Sequence, residues 1–515
     1  MRCQVVQMPE IDLTPVSRVE GHLSVRVKVE GDRYVEAKVS GEMFRGFELL
    51  LRGKKLAQAP NLVGKICGVC GATHTLVSTE VMEMLMGVYP SWRTVILRNA
   101  AYSLADIMYN NVVVTFLFQG LDFSTPLVTE KEYEKARETT CQFKDRHGFS
   151  KVSDLMGELY FGREIFRLAM KLQTELRELA TAIWLRYPQP LSLKPGSITL
   201  RDPGVLEKVR KYMREDSKVE RLLYVMAELR EFYRGVFRDV GRDFVTYGLL
   251  EGEGYDADYS RMREWGDKRY FPPGLVKGGE LVTGDLREIL LGVEVLKRGG
   301  IEELRDPLGE KLSINHPWCI DATVPPKGEF IPKVLQNGIS PTTGDIARLY
   351  VFSLRKGKPS ALEYEWEYRS NDVIERSFAR MFTVAMLKEV LENIEDPGGS
   401  LDPVKGVKYS MAVGAHDAPR GANAHWVVSK DGTTVSRYGI VTVCPYTIIS
   451  IILCSFMIEC RGLALNHLLT VGGSWDSFEP NGTGLTSRIT PTLLGIVHIG
   501  VGDHCLSTKI CYKQI

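Results

Sequence analysis

The sequence predicts a mainly α protein with small β-sheets (α+β), in which a helical-bundle core follows an N-terminal β-hairpin. Three observations lead there. Residues 23–29 and 34–39 alternate apolar and polar side chains on either side of Gly31-Asp32, the period-2 pattern of two paired strands joined by a tight turn. Long stretches between 72 and 247, and again at 372–394, place apolar residues at helical period. The chain has 515 residues, 44% of them apolar, which is enough to bury a large core without disulfides.

The hairpin lies within about 20–40. After Gly64 the pattern turns helical, with Leu76, Val77, Val81, Leu85 and Met86 forming a stripe that ends near Gly87. Residues 94–118 are apolar almost all round, as a helix central to the core would be. Further helical blocks are expected at about 151–186 and 204–247, completing a helical core over 72–247. An excursion at about 249–370 carries short strands near 280–283, 291–297 and 361–366, and the long amphipathic helix 372–394 follows. The Ala-Pro-Arg-Gly stretch, 415–426, reads as a loop.

Composition excludes several classes of function. Lys+Arg 65 against Asp+Glu 64 leaves no basic field for nucleic acid or anionic lipid. Ten cysteines are too sparse for a disulfide scaffold. The first 22 residues have neither an apolar core nor a cleavage site, so no secretory signal is expected, and export would use a partner's signal. The average hides a break: eight of the 75 residues from Val441 onward are charged, against 121 of the preceding 440. Residues 441–458 are uncharged throughout, at the lower limit for a membrane span, although Pro445 and several Ser/Thr weaken that reading. The chain therefore divides into 1–440 and a divergent apolar tail, 441–515.

The strongest local signal is Cys67-Gly68-Val69-Cys70 with His74 one turn on. Cys-x-x-Cys lets two thiolates reach one soft metal ion from a single turn. Half of a zinc knuckle, or a redox dithiol, would read the same way. Three other islands stand in order along the chain: Arg18-Val19-Glu20-Gly21-His22, Phe44-Arg45-Gly46-Phe47-Glu48, and Asp417-Ala418-Pro419-Arg420-Gly421 with His425-Trp426 beyond it. Singly, each is ordinary.

In this order, with 28 residues from Glu20 to Glu48 and 19 from there to Cys67, the four elements resemble the large subunit of nickel–iron hydrogenases. The likeness runs from about residue 9 to 440, and residues 146–159 look most like the oxygen-tolerant, uptake-type branch. The resemblance implies an H₂ site of nickel bridged to an iron carrying CO and cyanide. In it, Cys67 would be a terminal nickel thiolate, Cys70 a thiolate bridging the two metals, and Cys505 the first thiolate of the C-terminal pair. It further implies Glu20 as the proton relay and Arg420 as a guanidinium over the open coordination position, held by Asp417. Glu48 would be a ligand of a secondary Mg²⁺ site, and His74 a donor to a thiolate sulfur.

The iron–sulfur clusters that take the electrons need cysteine groups this chain lacks. A separate iron–sulfur small subunit is therefore implied, in a hetero-oligomer that is cytoplasmic or membrane-associated through its partners.

Two departures stand out. Asn110 occupies the position of the family's helix carboxylate, leaving Arg420 one charge partner fewer. At the C-terminus the family pattern Asp-Pro-Cys-x-x-Cys-x-x-His reads Asp503-His504-Cys505-Leu506-Ser507-Thr508-Lys509-Ile510-Cys511. Thr508 and Cys511 thus stand where the second Cys and the His belong. A hydroxyl cannot replace a thiolate between two soft metals, so residues from about 443 read as a shifted frame. The competing expectations are a catalytically inactive scaffold that keeps the fold and subunit contacts, and a zinc-binding structural protein.

Overall fold

The computed structural model describes residues 46–237, 239–295, 300, 302–320 and 334–442, together with the backbone of strands at 10–13, 23–30 and 33–41. Those strands, β1 (Glu10–Leu13), β2 (Leu23–Glu30) and β3 (Arg33–Gly41), form an antiparallel sheet. Pairing of Glu30 with Arg33 closes β2 and β3 over the two residues expected to turn.

Helix α1 (Gly71–Met86) is buried on nearly every side. Next comes α2 (Trp92–Tyr102), started by Ser91, whose side chain accepts from Thr94 N. It runs on without a break into a π-helical stretch (Ser103–Tyr109), the turn Asn110–Val112 and a second π-helical stretch (Val113–Gln119). Such widened turns recur at functional sites.

The block expected over 151–186 is two helices, Val152–Glu158 and α3 (Glu164–Trp184). Glu158 ends the first and, through Oε2, accepts the Glu164 N–H that opens the second, at 2.7 Å. The block expected over 204–247 is also two, α4 (Val205–Glu215) and α5 (Lys218–Phe232). Asp216 separates them, its carboxylate accepting from Val219 N at 3.0 Å. The chain is extended again by β4 (Phe244–Thr246), which pairs with β5 (Gly274–Lys277) and through it with β6 (Glu280–Thr283). Short strands follow at Val293–Val295, Ser360–Ala361 and Tyr364–Glu365. Helix α6 (Asp345–Lys356) lies between the first and second of these strands, and α7 (Val373–Glu392) follows the third.

The Ala-Pro-Arg-Gly segment is a hairpin and not a loop. In it β7 (Met411–Ala418) pairs with β8 (Gly421–Val428) from Met411↔Val428 to Ala418↔Gly421, so Pro419 and Arg420 are its whole turn. All 16 residues of the two strands are buried, which is why the period-2 alternation of a half-exposed strand is missing from the sequence. At Gly414 an added Cβ would lie 2.3 Å from Val77 O, so β7 rests directly on α1. Gly421 has φ +124 and turns the chain back against Thr343. The third strand, β9 (Arg437–Val441), sets Ile440 opposite His425.

The core has two parts. One is made by α2–α7 with the start of α1, the other by β7–β9 with the C-terminal half of α1 and with Val245 and Leu275 of β4 and β5. Among the described residues no helix is long and apolar enough to cross a membrane. The tail from 443 to 515 lies outside the described residues, and with it the expected span at 441–458, apart from its first two residues.

Candidate metal centre

The turn Cys67–Cys70 leads straight into α1. Cys67 Sγ accepts from Cys70 N at 3.1 Å and from Val69 N at 3.4 Å, which folds the first thiol back over the turn. The Cys70 thiol is held well above its usual range, first by its hydrogen bond with Cys67 and then by burial, and Arg420 opposes the rise. Two sulfurs this close resist losing both protons unless a cation joins them. Soft thiolates facing one another on a single turn are the donor set that a soft divalent metal takes.

Arg420 comes to the pair from the hairpin turn. Its Nη1 donates to Asn110 Oδ1 at 2.6 Å, and its charge is felt at Cys70 and at Asp106. Asn110 therefore does meet Arg420, as a neutral acceptor. The expected Asp417–Arg420 pair is replaced by another. Asp417 Oδ2 accepts from Arg348 Nε at 3.1 Å and from the Thr246 hydroxyl, and Oδ1 accepts from Tyr247 N at 2.9 Å. Arg348 in turn holds Asp345 at 2.7 Å. On a strand whose side chains alternate, Asp417 points down into this buried cluster while the turn carries Arg420 onward.

His74 faces away from the role expected of it at Nδ1, which lies 3.0 Å from His425 Nε2. His425 Nδ1 is 2.8 Å from Tyr438 Oη, and Tyr438 donates to Ser78 Oγ at 2.8 Å. Burial brings His74 down to about 4 and holds His425 well below its usual value, so both rings are neutral and the chain carries no charge. Glu48 sits in a short helix, Phe47–Leu50, with Oε1 accepting from Ile440 N at 2.8 Å. That contact ties it to the strand residue opposite His425. Glu20 and Cys505 lie outside the described residues.

Several groups escape a sequence reading. Asp106 is fully buried in the π-helical stretch, and its Oδ1 accepts from Thr73 N at 3.0 Å and Thr73 Oγ1 at 2.9 Å. Burial pushes its carboxyl up to about 8, with Cys67 adding to the rise and Arg420 opposing it. The signal was available: Asp106 is the one acidic residue in the apolar run 94–118. Tyr187 Oη donates to Val69 O at 2.8 Å, and a cavity of about 560 Å³ opens beside it, lined by Gly68, Tyr109 and Arg177.

Two other buried triads lie away from the thiols. His416 Nε2 is 3.2 Å from both Glu80 and Glu251, with Arg269 on the latter. His147 Nε2 is 3.4 Å from Glu228 beside Cys141. Phe149 N donates to His147 Nδ1 at 3.1 Å, so the proton sits on Nε2 and that nitrogen has no lone pair for a metal.

The profile of the family "Nickel-dependent hydrogenase" matches residues 45–155. Over 84% of its length the chain is 22% identical to the uptake hydrogenase large subunit of Azotobacter chroococcum, covering 86% of that protein. It is 24% identical to the hydrogenase-2 large chain of Escherichia coli, with 83% and 87% covered. A shorter match, 26% identical over 219 residues, takes in 40% of the periplasmic [NiFeSe] hydrogenase large subunit of Desulfomicrobium baculatum. Among solved structures, the actinobacterial-type NiFe-hydrogenase from Ralstonia eutropha superposes with a TM-score of 0.75 at 23% identity, over 85% of this chain and 91% of that one. At that identity the likeness is one of fold.

Proposed function

Because the chain belongs to the nickel-dependent hydrogenase family, we propose that it is the catalytic large subunit of a nickel–iron hydrogenase, oxidising H₂ and passing electrons to an iron–sulfur small subunit. The observation that carries this reading is the pair of facing thiols on one turn, Cys67 buried and Cys70 half-buried, with Arg420 brought to them from a sheet 350 residues away. Cys67 and Cys70 would hold nickel, Cys70 also reaching an iron that bears CO and cyanide. Cys505 would supply a further thiolate. When bound, the metal pair supplies a Lewis-acidic, redox-active centre for heterolytic cleavage of H₂.

The chain's own residues then manage charge and protons. The Cys67 sulfur accepts a proton, and Glu20 takes it onward. Arg420, oriented by Asn110, places a fixed cation beside the thiolates without reorganisation during the reaction. The neutral His74–His425–Tyr438 chain keeps that side of the site rigid and uncharged. Glu48 would hold a Mg²⁺ ion, as a hard carboxylate ligand suits that cation.

Elemental analysis and infrared spectroscopy of the purified subunit pair test the reading. Nickel and iron in equal amounts, with CO and cyanide stretching bands and H₂/D⁺ exchange, are expected. Zinc alone, or no metal in a folded chain, overturns it.

A further inference from the structure

Helix α1 starts without a cap of its own. Cys70 stands at its N-cap position and offers no side-chain hydrogen bond to the first turn, although the first N–H groups of any helix need partners. The acceptor comes instead from the neighbouring helix: Asp106 Oδ1 takes Thr73 N at 3.0 Å and Thr73 Oγ1 at 2.9 Å. Thr73 Oγ1 is in turn 3.0 Å from Tyr102 Oη, which donates to Asp417 O at 2.8 Å. Asp417 lies three residues before Arg420 on the same hairpin. One connected set of bonds therefore runs from the start of α1, through Asp106, Thr73 and Tyr102, to the strand that carries the guanidinium.

Asp106 and Asn110, four apart in this continuous helical run, face the same side. The first meets the cysteine-bearing helix and the second meets Arg420. A fully buried carboxyl with one oxygen, Oδ2, lacking a hydrogen-bond partner among the described residues is a costly anchor for a helix to use. An apolar residue would fill that core position at lower cost, which makes its location beneath the thiol turn informative.

We propose that Asp106 is a positioning residue: it caps α1 from the adjacent helix and, through Thr73 and Tyr102, fixes the Cys67–Cys70 turn relative to the hairpin that carries Arg420. The metal-related part of this role rests on the function proposed above, whereas the anchoring itself does not.

The test uses the full chain, read by hydrogen–deuterium exchange mass spectrometry and by nickel content of the matured protein. Asp106→Ala should speed amide exchange in residues 71–75 by about tenfold, as loss of a buried hydrogen-bonded acceptor does, and lower nickel per chain at least about threefold. Asp106→Asn keeps an acceptor oxygen in place and should restore both, which a general loss of packing would not. Tyr102→Phe separates the two legs: exchange rises at 415–421 and stays unchanged at 71–75. If Asp106→Ala does not fold, Thr73→Ala, which removes one of the two donors, should give a smaller acceleration in the same segment.

Wild-type exchange at 71–75 in Asp106→Ala, or in Thr73→Ala, overturns the proposal, as does failure of Asp106→Asn to restore it. A wild-type chain that matures without nickel overturns the hydrogenase reading instead. The exchange measurement would still decide the anchor.

Discussion

Arg420 Nη1 and Asn110 Oδ1 lie 2.6 Å apart although 310 residues separate them in sequence. The acceptor is a neutral amide, so the guanidinium is aimed by a hydrogen bond and keeps its charge uncompensated by that partner. In a hydrogenase this leaves more positive potential at the thiolates than a carboxylate at 110 would.

Replacing Asn110 tests that balance. Asn110→Leu removes the acceptor and should lower H₂/D⁺ exchange by about 10- to 150-fold, the range for a lost charge-assisted bond of about 1.5–3 kcal/mol. Asn110→Asp should keep the guanidinium in place while raising the pH at which exchange is half-maximal, because an added negative charge raises the pKa of neighbouring acids. An unchanged pH profile in Asn110→Asp would show that position 110 does not sense the site.

The hairpin that presents Arg420 is anchored by Asp417 and Arg348, both fully buried. Arg348→Met leaves Asp417 without its cation and should cost about 3–5 kcal/mol in urea unfolding. Asp417→Asn together with Arg348→Met should recover only part of that loss, since it neutralises Asp417 but leaves buried Asp345, the other partner of Arg348, without its cation. Equal losses in the single and double variants would contradict the pairing.

His416 makes stability depend on pH. Burial alone would lower its pKa, but Glu80 and then Glu251 outweigh burial and raise it above 6.5. A group whose folded pKa is raised contributes stability that is fully present below its unfolded value, near 6.5, and is lost as pH rises through the folded value. The melting temperature of the wild type should therefore exceed that of His416→Gln most at about pH 5.5–6, with the gap narrowing on the alkaline side. A chain of this size moves by about 2–4 °C per kcal/mol or less. A gap that widens with pH would reverse the assignment.

Gly414 tests the contact between β7 and α1. A Cβ there would meet Val77 O at 2.3 Å, and Val81 Cγ2 as well, so Gly414→Ala should destabilise by about 1–3 kcal/mol. Because backbone and not a flexible side chain blocks the space, Val81→Ala should rescue little of it. Thermal unfolding of the single and double variants checks both expectations.

The helical core was legible where the chemistry is local. The stripe Leu76–Met86 and the stop before Gly87 follow from spacing and a helix-ending residue, and α1 ends at Met86. The split of 204–247 at Asp216 was missed because an Asp within a helical pattern reads as a surface residue until its carboxylate is seen capping Val219. The strands of 411–428 were hidden for a different reason: burial on both faces removes the alternation that marks a strand. Cys67, Cys70 and Arg420 stand out in the sequence by motif, and the electrostatic reach of Arg420 to Cys70 shows that the fold brings the two motifs together. Partner choice was not legible. That Asp417 goes to Arg348, and His74 to His425, depends on contacts 69 and 351 residues apart in the chain. Asp106 carried a signal in composition, but only the fold reveals Thr73 beside it.

The distance along the chain between the thiol turn and Arg420 has a consequence in time. Cys70 leaves the ribosome 350 residues before the guanidinium that will face it, which at about 5–20 residues per second is an interval of roughly 20–70 s. During that interval α1 can form, but β7, the Arg420 turn and the His425 partner of His74 do not yet exist. Two soft sulfurs on a nascent chain would have to be shielded from the wrong ion for that long.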